Sequence, residues 1–390
     1  CPGDIRFVRQ PLPCGTADAV LCGLHGINED FLVVYGDVVT DPENLRGLVR
    51  RYEEERPYAA ALVQKLGDER PQDWVVAHTE GDYLLGVEGH GRSGSYRLCG
   101  VYAFRAEAVG LLRDHPGIMR SVPVGGMPPP EGELAQSLQV AIDEGHEVLA
   151  VETAGYYVDL DKPWHILEAN RRVIEGMSRE LNHDTIPASA RIHDGAEIEG
   201  HVVLGEGCSI GNRVVVRGNL WMDPGSSLSN GAILDGPAVV GRNVTVRDYC
   251  LIGGHTSLGD GGVYGHGAEF SGVALDKVYC YHYCEIWGVA GLAVDFGAAT
   301  VCGNLRFDDG VTVWRVKGRP ETPANAANAA YFGDFCRTGV NAIVMPGRRV
   351  GVYSCLGAGV VAYDDVSDRQ LVTLKQVLET RTWGPERYGW

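Results

Sequence analysis

The sequence predicts an α/β layered domain followed by a parallel β-helix, and two observations lead to this fold class. Over residues 1–180, short apolar runs alternate with amphipathic segments, which is the pattern of strands alternating with helices. From residue 186 onward an apolar residue stands at every sixth position, a period that fits neither a helix nor a flat strand. The 390 residues suffice for two or three domains of about 150 residues each.

The first domain is expected to hold a largely parallel sheet with helices between its strands. The run over residues 31–35 is apolar throughout, as in a strand buried on both faces, and Thr16 is the expected N-cap of the first helix. We predict strands at residues 5–8, 31–35, 59–66, 83–87, 98–104 and 148–153, and helices at residues 16–24, 44–56, 133–144 and 164–181.

The six-residue period of the second half predicts short strands joined by tight corners, with one large side chain per face pointing inward. Three such faces make a coil of 18 residues, and stacked coils form a solenoid stabilised by contacts between neighbours. Glycines at positions 205, 211, 241, 253, 259 and 265 are expected to supply left-handed φ angles at the corners. The inward positions are Ile186, Ile192, Ile198, Leu204, Ile210, Val216, Met222, Leu228, Leu234, Val240, Val246, Ile252, Leu258, Tyr264 and Phe270.

The period weakens between residues 273 and 330, where the stretch 320–330 is interpreted as an excursion loop. Helical spacing over residues 369–381 predicts a helix that caps the open end of the solenoid, which otherwise leaves strand edges unpaired. These patterns divide the chain into residues 1–182, residues 183–368 and a helical tail at residues 369–390. The period returns at Phe332, Thr338, Val344, Val350 and Leu356.

Composition narrows the classes of function. The chain carries 51 acidic and 34 basic residues, a net charge of −17, which argues against nucleic-acid binding and requires local cations, metals or N–H groups for an anionic substrate. The 11 scattered cysteines are typical of a cytoplasmic protein with reduced thiols. No apolar run approaches the roughly 20 residues that span a bilayer. Because the chain opens at Cys1 in mid-pattern, we expect a further segment upstream.

Two aspartates follow predicted strands far apart in the sequence. Asp37 comes after the apolar run that ends at Gly36, and Asp159 ends a second run before a helix. Carboxylates at strand ends can hold Mg²⁺, and two of them could share the ion that phosphoryl or nucleotidyl transfer needs. A turn or cap role is the alternative for each.

Two further motifs could carry chemistry. In the segment QPLPCGTADAV, a turn at Gly15 and Thr16 feeds a helix, where N–H groups can face a base or a phosphate; an ordinary strand–turn–helix junction is the alternative. Cys280, His282 and Cys284 stand two positions apart and would share one face of a straight strand, where they could bind Zn²⁺. Buried structural thiols are the alternative there.

In this order, and followed by the repeats, the motifs resemble those of the sugar-1-phosphate nucleotidylyltransferases with a left-handed β-helix tail. QPLPCGTADAVL resembles the family's base-recognition segment, FLVVYGD its metal-binding strand end, and YYVDLDKPWHILEANR its second metal-binding aspartate and helix. YRLCGVYAF resembles the strand that lines the sugar pocket. The tail segments FGAATVCGNLRFDDGVTV, FGDFCRTGVNAIVMPGRRVG and WGPERYGW resemble archaeal members, so the resemblance covers nearly the whole chain.

The resemblance implies a Rossmann-like nucleotidyltransferase domain in which a sugar 1-phosphate oxygen attacks the α-phosphorus of an NTP and pyrophosphate leaves. It implies Mg²⁺ held by Asp37 and Asp159. The family's Gly-rich loop has no counterpart in the sequence, and Gly89 stands where the family has a lysine. The resemblance places Gln10, Gly15 and Thr16 against the base, and Gly36, Glu88, Gly100 and Tyr102 around the sugar.

For the tail, the resemblance implies acetyl transfer from acetyl-CoA to an amino sugar. His282 would be the general base, one residue from the direct register position Tyr281, and Asn304 would be its partner. The family's β-helices usually assemble in threes, so a homotrimer is implied. Three functions stay open: nucleotidyl transfer, acyl transfer at the β-helix alone, and a non-catalytic relative that binds a nucleotide sugar or serves as a scaffold.

Overall fold

A computed structural model describes residues 5–67, 69–89, 91, 93–114 and 132–385. Its contacts divide the chain into two units, Cys1–Asp161 and Lys162–Trp390. The division falls earlier than residue 182 because the helix Pro163–Glu180 packs against strands of the solenoid and so belongs to the second unit.

In the described residues of the first unit, helices cover both faces of one sheet. The helices are α1 (Thr16–Gly23), α2 (Pro42–Glu55), α3 (Val109–Asp114) and α4 (Leu134–Asp143). The strands are β1 (Phe31–Val34), β2 (Val38–Thr40), β3 (Ala59–Lys65), β4 (Val75–Glu80), β5 (Tyr83–Gly89), β6 (Tyr96–Phe104), β7 (Val148–Glu152) and β8 (Tyr157–Asp159), and 3₁₀ turns span Pro71–Asp73 and Ala106–Ala108.

Six strands make the main sheet, in the order β1-β6-β3-β7-β5-β4. Within the described residues only the β3–β7 ladder of this sheet is parallel, so the prediction of a largely parallel sheet is wrong for them. Helices α1, α3 and α4 cover one face and α2 covers the other. The sheet is therefore layered as predicted, although its strands mostly run in opposite directions.

Two predicted strands of the first unit differ in the structure. Residues 5–8 form no ladder, and Ile5 and Phe7 are 82% and 94% exposed. β1 does form, but Leu32 and Val34 are 43% and 44% exposed, so it is not buried on both faces. β1 is the edge strand of the sheet, and only its alternate side chains contact the core.

The second unit begins with helix α5 (Pro163–Glu180) and continues as a solenoid of very short strands. Ten strands stack as one face, and fifteen form a second sheet that bends to make the other two faces. Strands β9 to β35 are, in chain order, Arg191–Ile192, Glu197–Ile198, Val202–Leu204, Ser209–Ile210, Val215–Val216, Leu220–Met222, Ser227–Leu228, Ile233–Asp235, Ala238–Val240, Thr245–Val246, Leu251–Gly253, Thr256–Leu258, Val263–Tyr264, Glu269–Ala274, Tyr279–Cys280, Glu285–Ala290, Asp295–Phe296, Val301–Cys302, Trp314–Val316, Arg319–Glu321, Ala330–Phe332, Arg337–Thr338, Ile343–Val344, Arg349–Val350, Cys355–Leu356, Val361–Ala362 and Leu371–Val372.

The six-residue period is confirmed by burial. Every sixth residue from Leu204 to Phe270 is at most 4% exposed, whereas Ile186, in the first coil, is 46% exposed because no coil covers it on that side. Parallel ladders join residues 18 positions apart, such as Ile210 to Leu228. Each coil therefore has three faces of six residues, as predicted.

The period weakens after Phe270 because one corner changes length. Phe270 and Ala274 are both inward-facing positions of the single bent strand β22, four residues apart instead of six. Ladders there join residues 16 positions apart, such as Tyr264 to Cys280. Helix α5 packs along this tighter corner, where Leu167 lies against Gly272.

The excursion leaves the solenoid at the same corner, two coils after β22. It runs from Gly303 to Ala329, so the predicted stretch 320–330 covers only its end. The excursion folds as the hairpin β27–β28, and its Trp314 packs against Trp164 and Tyr331. Asn328 fixes its base by accepting hydrogen bonds from the Thr312 N–H and hydroxyl, both at 2.9 Å.

The helix predicted over residues 369–381 does not form. Leu371–Val372 adds a last strand, β35, to the ten-stranded face, and residues 373–383 have no regular structure. Leu374, Val377 and Leu378 are 49%, 100% and 81% exposed, so the helical spacing of apolar residues has no surface to cover in this chain.

The glycines that follow the inward residues serve a different purpose from the one expected. None of the six has a left-handed φ; those angles fall on other corner residues, including Arg213 and Tyr249. A Cβ added to Gly259 would lie 2.5 Å from the carbonyl carbon of Leu275 in the next coil. These glycines therefore permit close approach of two backbones rather than an unusual backbone angle.

We expect Gly259→Ala to destabilise the solenoid by about 1–3 kcal/mol, because the neighbouring backbone cannot move aside for the added methyl group. The matched control is Gly207→Asn, at a corner with φ +71° and open space around the missing Cβ, which should cost less than about 1 kcal/mol. Urea unfolding followed by circular dichroism measures both. Equal losses would contradict this account of Gly259.

Candidate functional site

A short ladder brings the two predicted metal-binding aspartates together. β2 and β8 pair in antiparallel orientation, with Val38 opposite Asp159. Asp37 precedes Val38, and its carbonyl accepts a hydrogen bond of 2.9 Å from the N–H of Leu160. Two residues that are far apart in the sequence thus flank the same end of one ladder. Asp37 is exposed and Asp159 is half-buried.

Asn44, which the sequence analysis did not single out, ties this ladder to helix α2. It is 2% exposed, and its Nδ2 donates to the Thr40 hydroxyl at 2.9 Å and to the Tyr156 carbonyl at 3.1 Å. Its Oδ1 accepts from the N–H groups of Ala154 and Gly155 at 2.7 and 3.1 Å. Both donors and both acceptor sites are used. The sequence did hold one signal of this role, because Asn44 is an amide on the apolar face of the helix predicted over residues 44–56.

The predicted base-binding residues meet at the start of α1. Gly15, with φ +100°, is the N-cap residue, so the expectation that Thr16 would cap the helix is wrong. A Cβ on Gly15 would lie 2.5 Å from the carbonyl oxygen of Gly132, so no larger residue fits there. Gln10 Nε2 donates to the Gly15 carbonyl at 3.2 Å and to Asp18 Oδ2 at 2.6 Å.

Thr16 connects this turn to helix α4 instead of capping its own helix. Its hydroxyl donates to Glu133 Oε2 at 2.9 Å and accepts from the Leu134 N–H at 2.8 Å. Glu133 was not among the predicted site residues. The Glu133 carboxylate accepts a hydrogen bond from the Thr16 hydroxyl. That hydroxyl in turn accepts one from the Leu134 N–H, which has no acceptor within its own helix α4.

Tyr35 links the Thr16 turn to the aspartate ladder. Its ring contacts the Tyr102 ring edge-on, with centroids 5.7 Å apart, and its N–H donates to the Gly100 carbonyl at 2.9 Å. Burial raises the pKa of Tyr35, the neighbouring hydroxyls of Thr16 and Tyr102 lower it, and the negative charges of Glu133 and Asp37 raise it. Three predicted site residues therefore surround a tyrosine that the sequence analysis did not select.

Gly100 and Tyr102 support Tyr35 from the sheet. Gly100 has φ +63° inside β6, and a Cβ there would lie 2.7 Å from the Tyr35 ring. Tyr102 is 2% exposed, so its visible role is to hold Tyr35. Gly36 follows Tyr35 at the surface, and Glu88 lies on β5 with its carboxylate 3.6 Å from His78 Nε2.

Asp37 and Asp159 fit a magnesium site that water and substrate complete, rather than a metal site formed by protein side chains alone. Among the residues that the structure describes, no three His, Cys, Asp or Glu side chains are placed to hold a metal ion together. Mg²⁺ is commonly bound by one or two carboxylates, with waters and substrate phosphates as the other ligands. Asp37 and Asp159 meet that requirement by residue type and by position.

The zinc site predicted at Cys280, His282 and Cys284 is wrong. The chain turns a corner at His282 and Tyr283, so it is not a straight strand there. Cys280 and Cys284 point into the solenoid core at 0% and 1% exposure, whereas His282 lies outside. The Cys284 thiol donates to the Gly297 carbonyl at 3.3 Å.

The two residues of the implied acetyl-transfer site lie at different corners of the solenoid, in neighbouring coils. His282 is exposed between β23 and β24, with the rings of Tyr281 and Tyr283 centred 6.2 and 6.3 Å away. Asn304 follows β26 and is also exposed; its carbonyl accepts from Asn328 Nδ2 at 3.1 Å. Within one chain the two side chains stand at opposite ends of a solenoid face.

Comparison with known proteins identifies the family. The bifunctional protein GlmU of Methanococcus maripaludis strain C7 is 32% identical over 381 residues, covering 96% of this chain and 82% of the relative. A bifunctional sugar-1-phosphate nucleotidylyltransferase/acetyltransferase of Sulfurisphaera tokodaii is 25% identical over 238 residues, covering 60% of this chain and 53% of the relative. The chain belongs to the family of bifunctional GlmU proteins, and its Sulfurisphaera tokodaii relative is named as a transferase.

Other comparisons add little. A UDP-glucose pyrophosphorylase structure from Acinetobacter baumannii matches 44% of this chain and 60% of its own, with a TM-score of 0.36 and 21% identity, values too low to bear on the fold. No family model matches the chain. None of the described helices is both long and apolar enough to cross a membrane.

We expect Gly100→Ala to disturb the Tyr35 cluster, because the added methyl group would overlap a ring that is packed against Tyr102. The loss in unfolding free energy should be about 1–3 kcal/mol. Gly47→Ala in helix α2, where nothing lies within 4 Å of the added Cβ, is the control and should stabilise by about 0.5–1 kcal/mol. Thermal unfolding measures both, and an unchanged Gly100→Ala variant would contradict the crowding described.

Proposed function

We propose that the first unit transfers a nucleotidyl group from an NTP to a sugar 1-phosphate. The observation that carries the proposal is the β2–β8 ladder, which sets Asp37 beside Asp159 in a chain related over most of its length to bifunctional GlmU proteins. In the reaction, an oxygen of the sugar 1-phosphate forms a bond to the α-phosphorus of the NTP. The bond from that phosphorus to the bridging oxygen breaks, and pyrophosphate leaves.

Different residues of the cluster would bind the base, the sugar and the metal ion. The turn at Gly15 and Thr16 would present backbone and hydroxyl groups to the base, with Gln10 holding its shape. Gly36, Gly100 and Glu88 would line the sugar, with Tyr102 holding Tyr35 behind them. Asp37 and Asp159 would hold Mg²⁺, which when bound neutralises charge on the transferred phosphoryl group.

Charge explains why the acid pair needs a cation. The chain has a net charge of −17, so its overall field opposes two anionic substrates. Two carboxylates without a counter-ion would add to that repulsion. The proposal therefore predicts strict dependence on a divalent cation and strong loss when either aspartate is neutralised.

The test is pyrophosphate release from an NTP and a sugar 1-phosphate. We expect Asp37→Asn and Asp159→Asn each to lower kcat/KM by at least about 100-fold, since electrostatic stabilisation of this kind is worth several kcal/mol. Asp41→Asn, at the N-cap of α2, is the control because its carboxylate accepts from the Glu43 N–H instead. Absence of turnover with every NTP in the wild-type chain would favour the non-catalytic alternative.

We propose acetyl transfer from acetyl-CoA to an amino sugar phosphate as a second activity, at the solenoid. The name of the Sulfurisphaera tokodaii relative, which includes an acetyltransferase, supports it. His282 is exposed and could take a proton from an amine, with Asn304 as partner. Because one chain sets them at different corners, a site containing both would draw on neighbouring chains, in keeping with a homotrimer of the 42.1 kDa chain.

Thiol release from acetyl-CoA in the presence of glucosamine 1-phosphate tests the second activity. We expect His282→Ala to lower the rate by about 100-fold or more, the usual contribution of a general base. His193→Ala is the control, because that exposed histidine stands in the first coils and its Nδ1 accepts from the Gly195 N–H. Full activity of His282→Ala would remove this residue from the mechanism.

A further inference from the structure

A buried arginine packs on Tyr157, two residues before Asp159, and has no role in the proposed reaction. Arg97, near the beginning of β6, is 4% exposed. Its guanidinium lies over the Trp74 ring at 3.7 Å and 5.1 Å from the Tyr157 ring centre. Nε and Nη2 donate to Gln64 Oε1 at 3.1 and 2.6 Å. A permanently charged group in such a place requires an explanation, because burying it is costly.

The ion pairing of Arg97 is incomplete. Its one described carboxylate neighbour is Glu69, at 3.5 Å from Nε, with a side chain that is 45% exposed and therefore partly screened by water. Nη1 is buried and has no hydrogen-bond partner. The guanidinium thus keeps much of its positive charge inside the unit, facing aromatic rings and a neutral amide.

Strand geometry places this charge on the side of β8 that Asp159 shares. Tyr157 and Asp159 are two residues apart in β8 and so share one face of that strand. The guanidinium that packs on Tyr157 is therefore one side chain away from the aspartate. Burial is the main cause of the raised pKa of Tyr157; Cys99 and Asp159 raise it further, and Arg97 lowers it.

We infer that Arg97 is a positioning residue, a fixed positive charge that weakens the hold of Asp37 and Asp159 on a bare divalent cation and attracts an anionic, phosphate-bearing ligand to the same place. This inference rests on the proposed function, because it takes the acid pair to be the cation site. Its consequence is an order of events: the cation binds firmly together with the anionic ligand and weakly before it.

The charge can be cancelled without removing Arg97. In Gln64→Glu the new carboxylate has the shape of the amide that already accepts two hydrogen bonds from the guanidinium. We expect this variant to bind Mg²⁺ about tenfold more tightly than the wild type, measured by calorimetric titration of the full chain with the metal alone. It should bind inorganic phosphate more weakly in the absence of metal. Arg97→Gln should shift both affinities in the same directions.

Gln64→Ala is the matched control, because it removes the hydrogen bonds and leaves the charge; its metal affinity should equal that of the wild type. Structural damage would weaken the binding of both ligands. Opposite shifts in the affinities for Mg²⁺ and phosphate therefore distinguish an electrostatic effect from misfolding. Unchanged or weakened Mg²⁺ binding in folded Gln64→Glu overturns the inference. If Mg²⁺ binding is instead indifferent to Asp37→Asn and Asp159→Asn, the proposed cation site itself is overturned.

Discussion

The ladder between β2 and β8 is the interaction on which the candidate site depends. It has three residue pairs, and strands this short are not stable by themselves. Asn44 supplies the missing support, because one buried amide satisfies four polar groups around the ladder. A buried amide that uses every donor and acceptor also fixes one geometry, since any shift of the ladder would leave a polar group without a partner.

The solenoid solves the same problem of buried polar groups repeatedly. Just before several inward-facing residues, a small side chain donates to a carbonyl in the next coil. Serine and cysteine share this position: Ser354 donates to the Ser367 carbonyl at 2.7 Å, and the Cys250 thiol donates to the Gly265 carbonyl at 2.8 Å. Cys208, Cys250 and Cys284 are therefore small hydrogen-bonding side chains of the solenoid core.

Sequence reasoning recovered the parts of this protein that local patterns encode. Burial of every sixth residue from Leu204 to Phe270 requires one large side chain per face, so the coils could be predicted from spacing alone. The helical tail could not, because apolar spacing predicts a helix only where another surface covers it, and Leu378 meets none in this chain. Strand direction in the first unit was also beyond reach, since an apolar run reads the same whichever way its neighbours run.

The site divides along similar lines. Asp37 and Asp159 were predicted because carboxylates after apolar runs are conspicuous. Asn44 and Tyr35 were missed because their roles depend on distant partners, such as Tyr156 for Asn44 and Gly100 for Tyr35. Arg97 was missed because an arginine in an apolar run does not reveal whether its guanidinium is buried, which the structure shows. Long-range hydrogen bonds and buried charges are properties of the packed molecule, and a single sequence does not display them.

The change from 18-residue to 16-residue coils also affects how the solenoid assembles. A column of identical repeats can stack one coil out of place at little energetic cost, because every surface fits every other. Here the bent strands β22 and β24 fit each other along six consecutive residues, while the coils before them have a wider corner. A growing stack that skipped a coil would set a wide corner against a narrow one. The uneven coils thus favour the aligned stack over one that is shifted by a coil.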